Sequence, residues 1–132
     1  MALRIVRLGE ARVKGEGLRI GTVRRPPRGV PKSDFAKRDF YDVWLPDLAP
    51  SEGLLKGAAQ AVESDRTWKA FTRKFETELK RSEAQRLLDL LAALSHTTDL
   101  SVGCYCADEA RCHRSVLRAH LAKHGANIVN WR

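Results

Sequence analysis

The sequence predicts an α/β fold: a three-layer sandwich with a small, mostly parallel sheet and helices on both faces. Three observations predict it. Short alternating runs rich in Val, Ile and Leu stand near both ends of the chain, and two amphipathic helical stretches fill the middle. At the C-terminal end, a strand pattern over 98–106, a helical pattern over 112–123 and an alternating run over 126–131 make a β-α-β unit. Such a unit implies parallel strands and a right-handed crossover. At 132 residues the chain is expected to form one domain, 1–132. A domain of that size buries roughly two-thirds of its unfolded surface.

Leu3 to Leu8 alternates with period two and predicts a first strand. Gly15-Glu16-Gly17 is a turn, and Leu18 to Val23 a second strand. The run from Arg24 to Pro31 contains three prolines, which forbid both helix and central strand. Phe40 to Leu45 is aromatic and β-branched, a third strand. Ser51 is a suitable N-cap for a helix through about Val62, which Gly53 and Gly57 weaken. Trp68, Phe71, Phe75 and Leu79 then form one apolar stripe between charged residues. Ser82 offers a capping box with Gln85 ahead of a leucine-rich helix to Leu94. Gly125 is a good residue to follow the last helix.

Composition excludes several classes. Apolar residues make up 43% and charged residues 30%, which is globular rather than disordered or collagen-like. The most apolar stretch, Leu87 to Leu94, is far short of the roughly 20 residues a membrane span needs. Met1 to Arg7 has no uninterrupted apolar run, so no secretory signal is expected and the cytoplasm is the expected location.

The net charge is +8, and it is uneven. Residues 1–38 hold 11 Lys/Arg against three acids, a net of +8; residues 39–66 are at −4 and the remainder at +4. Eight of those first 11 cations are Arg, the residue suited to forked contacts with phosphate or carboxylate. Localised charge of this kind attracts anions.

The three cysteines, Cys104, Cys106 and Cys112, fall within nine residues. An odd, clustered set is not a secreted disulfide framework. The segment follows a strand and leads into a helix, the position where open α/β sheets bind ligands. Cys104 and Cys106 are two apart on the predicted strand and so share a face, with Cys104 expected in the core. Cys112 falls at the helix start, where backbone N–H groups favour an anion. Arg111, His113 and Arg114 adjoin it, so a lowered thiol pKa and nucleophilic character are expected.

Two other readings stand beside that one. Cys112 can be a packing residue at the helix start. Alternatively Cys104, Cys106, Cys112 and His113 can ligate zinc. Against zinc, the spacing is not standard, and adjacent residues at a helix start diverge by about 100°, which makes joint ligation awkward. No metal or cofactor is therefore called for. The spacing from Cys112 to Arg118 matches that of cysteine-dependent phosphatases, but the loop lacks the glycine a phosphate cradle needs. His96, His120 and His124 are isolated and are read as surface residues.

Pro27-Arg28-Gly29-Val30, Trp44-Leu45-Pro46-Asp47-Leu48-Ala49-Pro50-Ser51, Trp68 to Phe75, and Gly103-Cys104-Tyr105-Cys106 leading to Cys112-His113-Arg114-Ser115 occur in that order. In these stretches the chain resembles the domain-of-unknown-function 488 family, from about Leu3 to Gly125. The resemblance implies a small cytosolic three-layer α/β domain and no known reaction. Many relatives carry a tryptophan where this chain has Pro26-Pro27, while Arg28 and Gly29 match. Some relatives lack the cysteines, so the resemblance points more generally to Arg28, Asp47, Ser51 and the Arg-rich helix start.

Together these readings predict a pocket at the carboxyl ends of the strands. Cys112 would be its reactive thiolate, with His113 and Arg114 handling protons or substrate charge. Arg28, Ser51, Ser115 and Arg118 would bind an anionic small molecule or nucleotide. The alternative is a non-catalytic nucleic-acid or nucleotide binding module driven by the basic N-terminal third. No aromatics suited to base stacking interleave that basic run.

Overall fold

The computed structural model describes residues 1–132. Four strands form one all-parallel sheet: β1 (Leu3–Arg7), β2 (Leu18–Gly21), β3 (Val43–Trp44) and β4 (Leu100–Cys104), in the order β1-β4-β2-β3. Ile5, Val102 and Ile20 lie side by side across the three longer strands. Every residue of β4 is buried, as expected of a strand paired on both sides and covered on both faces. The helices are α1 (Glu52–Leu55), α2 (Ala58–Ala61), α3 (Asp65–Leu79), α4 (Ser82–Leu94) and α5 (His113–Lys123). The architecture is the α/β sandwich the sequence predicts. No helix is long and apolar enough to cross a membrane.

One sheet face presents Leu3, Ile5, Ile20, Leu100 and Val102 to a core filled by Phe75 and Leu79 of α3, Leu88 and Leu91 of α4, and Leu117 and Leu121 of α5. The apolar stripes predicted for α3 and α4 supply these residues. The opposite face carries Arg4, Ser101 and Arg19 in one row. Loops cover it: the carbonyls of Glu10 and Asp39 accept from the Arg19 guanidinium at 2.7 Å each, and Trp131 donates to Glu16 at 2.8 Å.

A second cluster of Val6, Leu8, Val23, Tyr41, Cys104 and Cys112 sits at the carboxyl ends of the strands. Two glycines let its members lie flat on the sheet. A Cβ on Gly21 would stand 2.4 Å from the Tyr41 ring, and one on Gly103 would stand 2.6 Å from the Val6 carbonyl oxygen.

Three predicted elements differ. The strand expected over 40–45 shrinks to Val43–Trp44, because the preceding residues turn: Asp39 has φ of 61° and Phe40 N–H bonds back to the Phe35 carbonyl. The helix expected over 51–62 breaks at Gly57 into α1 and α2. The run 126–131 makes a single parallel bridge, Leu3 to Ile128, beside β1 rather than beside β4. Its backbone bonds there run from Leu3 N–H to the Asn127 carbonyl and from Val129 N–H to the Leu3 carbonyl. Reciprocal capping also falls elsewhere than expected. Ser64 and Thr67 cap α3, while Ser82 is already inside α4 and Gln85 donates to the Leu79 carbonyl.

Candidate functional site

The carboxyl ends of β2 and β4 and the start of α5 converge. After β4, the chain turns away at Tyr105 and Cys106. Tyr105 is held from two sides: its carbonyl accepts from Arg7 Nε at 3.1 Å, and its hydroxyl donates to the Arg25 carbonyl at 2.8 Å. A 3-10 turn, Glu109–Arg111, then returns the chain to α5, and Asp108 accepts from the Ala110 N–H at its start.

Cys112 is the N-cap of α5 and has extended backbone, φ −128° and ψ 150°. That geometry aims its side chain back toward β4 rather than along the helix. Its Sγ lies 2.9 Å from Cys104 Sγ, and the sulfurs of Cys104, Cys106 and Cys112 all lie within 4.8 Å of one another. All three cysteines are free. Cys104 and Cys112 are each 2% exposed, whereas Cys106 is exposed. The strand ends at Cys104, so the period-two rule that would give Cys104 and Cys106 one environment no longer applies. The Cys106 N–H points at Cys104 Sγ, 3.3 Å away.

His113 begins α5. Its Nε2 lies 2.7 Å from the Thr22 carbonyl oxygen, which can only accept, so Nε2 carries the proton. Nδ1 then faces Cys112 Sγ at 3.8 Å. Arg114 is 3% exposed, and its NH2 group donates to the Cys106 carbonyl at 2.6 Å. It has no carboxylate partner, and its Nε is buried without a hydrogen bond. Hydrogen bonds from Cys104 and then Cys112, followed by the charges of Arg114 and Arg7, hold the Cys106 thiol below the ordinary thiol range. Cys104 is pushed up, by its hydrogen bonds with Cys106 and then Cys112 and by burial. Its hydrogen bond also lowers Cys112, against opposition from Cys106 and burial.

Beside the thiols is a cavity of about 190 Å³, with Arg24, Arg25, Leu55, Cys104, Cys106 and His113 in its wall. Arg24 is fixed there by the carbonyls of Ala49 and Pro50, each 3.0 Å away. The sulfurs of Cys104, Cys106 and Cys112 are the group able to hold a metal ion.

The structure thus brings Cys112, His113 and Arg114 together and joins Cys104 and Cys106 to them. The other sequence-predicted residues sit differently. Ser115 Oγ closes on the Cys112 carbonyl at 2.9 Å, bracing the helix start. Arg118 is engaged by Glu109 through two bonds of 2.6 and 2.8 Å. Arg28 is exposed in the loop after β2 and does not line the thiol cavity. Ser51 caps α1, donates to Glu78 at 2.5 Å and lines a separate, larger cleft of about 740 Å³ between α1, α2 and α3. The Thr22 carbonyl, Arg7 and Arg24 are participants that sequence reasoning missed. A backbone carbonyl leaves no trace in a sequence, and the two arginines were indistinguishable from the other six in the basic third.

No curated protein and no solved structure matches the chain. A family model described as the active DUF488-N3 subclade matches residues 3–125. That span includes every strand, every helix and all three cysteines, and the chain belongs to the DUF488-N3a family.

Proposed function

We propose that the protein captures a small anionic electrophile at the carboxyl ends of the strands, with Cys106 as the attacking sulfur. The observation that carries this reading is the sulfur cluster, in which one exposed thiol is backed by two buried ones and by the guanidiniums of Arg114 and Arg7. Cations around a thiol favour the thiolate, which is the nucleophile. In the reaction the sulfur forms a bond to the electrophilic centre. The displaced group leaves with the bonding pair and is protonated by water.

Cys112, the sulfur singled out by the sequence, takes the role of a buried partner to Cys106. His113 orients it, and Arg114 fixes the Cys106 backbone while supplying charge. Arg24 and Arg25 at the cavity wall suit an anionic ligand such as a phosphate ester, nucleotide or carboxylate. The nucleic-acid alternative has less support, because five of the eight arginines in the basic N-terminal third already make hydrogen bonds within the fold. Arg19 is fully buried, and Arg4, Arg7 and Arg24 each donate to backbone carbonyls.

Alkylation at neutral pH tests the reading. An ordinary thiol is only a few per cent ionised at pH 7, so Cys106 should react about tenfold faster than free cysteine. Peptide mapping should place the label on Cys106. The anionic reagent iodoacetate should be favoured over iodoacetamide relative to a free-cysteine control, and Cys106→Ser should remove the fast phase. A Cys106 that reacts no faster than free cysteine would sink the proposal.

A further inference from the structure

We propose that Cys104, Cys106 and Cys112 together bind one soft divalent cation, zinc by preference, through three sulfurs, with a fourth position open to the adjacent cavity. This rests on the residues of the thiolate reading and deepens it, since a metal-bound thiol is deprotonated outright.

Donor geometry is the first argument. Zinc–sulfur bonds of 2.3 Å in a tetrahedron place sulfurs about 3.8 Å apart. The three Sγ atoms lie within 4.8 Å of one another, and the closest pair is at 2.9 Å, so the ideal separation falls inside the observed range. Small side-chain rotations suffice to enclose an ion. The divergence expected of adjacent helical residues does not apply, because Cys112 precedes the helix with extended backbone.

Charge is the second and independent argument. Arg114 is 3% exposed, has no carboxylate within ion-pair distance, and leaves its Nε without a partner. A buried guanidinium needs an anion. Three thiolates around a divalent cation carry one net negative charge, directly beside the Cys106 carbonyl that Arg114 already holds.

The surroundings fit an open site rather than a closed one. His113 stands outside the mutual sulfur group, with Nδ1 3.8 Å from Cys112 alone. Cys104 and Cys106 line the cavity with Arg24 and Arg25, so the fourth position faces space where water or an anionic group can complete the shell. Three protein ligands with one exchangeable position is the arrangement of reactive rather than purely structural zinc.

The experiment is anaerobic titration of the reduced, chelator-stripped full chain with cobalt(II). One equivalent should bind, giving intense thiolate-to-cobalt charge transfer and tetrahedral d–d absorption, and zinc should displace it. Cys106→Ser, an exposed position that leaves the core intact, should weaken cobalt binding about 100-fold and lower the charge-transfer intensity by about a third. Cys112→Ser should do the same, with circular dichroism verifying its fold. His113→Gln should keep the charge-transfer band.

Absence of that band in the folded wild type would overturn the proposal, as would a Cys104–Cys112 disulfide that persists after reduction. Rapid Cys106 alkylation without cobalt binding would remove the metal and leave the thiolate reading standing. Tight cobalt binding by a chain whose stripped Cys106 reacts like free cysteine would do the reverse.

Discussion

Replacing Arg19 by alanine is expected to lower unfolding free energy by about 3–5 kcal/mol, the cost of leaving a buried charge without its partner. Typical domains are stable by only about 5–15 kcal/mol, so this single change would bring the protein close to unfolding. Arg19 is 0% exposed and Glu16 1%. The guanidinium meets both carboxylate oxygens, at 2.7 and 2.9 Å, and donates through its remaining nitrogen to the carbonyls of Glu10 and Asp39. Glu16 is in turn held by Trp131 at 2.8 Å and Ser101 at 3.3 Å. One side chain thus ties β2, the 8–17 loop, the 35–41 segment and the C-terminal segment together. Arg19→Lys should recover only part of the loss, because an ammonium cannot reproduce the fork. Urea unfolding measures both, and an Arg19→Ala midpoint equal to wild type would refute the clamp.

The same pair sets an acid sensitivity. Burial pushes the Glu16 carboxyl up, but the Arg19 hydrogen bonds and charge, with Trp131, bring it below its ordinary value of 4.5. A carboxyl whose folded pKa lies below its unfolded one stabilises the fold fully above the unfolded value. That stabilisation is lost as pH falls through the folded one. Wild-type stability should therefore be flat in this contribution above about pH 5 and decline on acidification. Glu16→Gln should start lower and lose less over the same range. Equal slopes for the two proteins would remove Glu16 as the source.

Arg19 also marks where the sequence stops being legible. A lone arginine between Leu18 and Ile20 reads as the outward residue of a half-exposed strand. Its carboxylate lies three residues back across a turn, and the tryptophan that covers the pair lies 115 positions from Glu16. Nothing local marks it as the buried one among the eight arginines of residues 1–38. The α3 and α4 stripes were legible because helical periodicity is a local property, fixed by Phe71, Phe75 and Leu79 or by Leu88 and Leu91 alone. The cysteine cluster was legible as a place, but the exposure of each sulfur was not. Exposure of Cys106 and burial of Cys112 depend on where β4 ends and on the extended backbone at the α5 N-cap, two features below the precision of any periodicity.

Phe75 joins the helical core to the thiol site. Its substitution by alanine should cost about 3–5 kcal/mol, the range for deleting a fully buried aromatic ring. The ring is 0% exposed and packs among Leu79, Leu88 and Leu117. It also meets the His113 imidazole edge-on, with centroids 5.7 Å apart and planes at 89°. That contact helps hold the imidazole on the Thr22 carbonyl, and hence Nδ1 toward Cys112. Phe75→Leu keeps most of the volume, so its stability cost should be nearer 1 kcal/mol. The imidazole, however, loses its aromatic wall in both variants. Nitrogen NMR of His113 should therefore report mixed tautomers in Phe75→Leu, where the wild type holds the proton on Nε2. If the tautomer stays fixed while stability falls as predicted, Phe75 serves only the core, and the Thr22 bond alone orients His113. If instead Phe75→Leu is as destabilising as Phe75→Ala, the aromatic contact itself carries the energy, and the core and the thiol site fold as one unit.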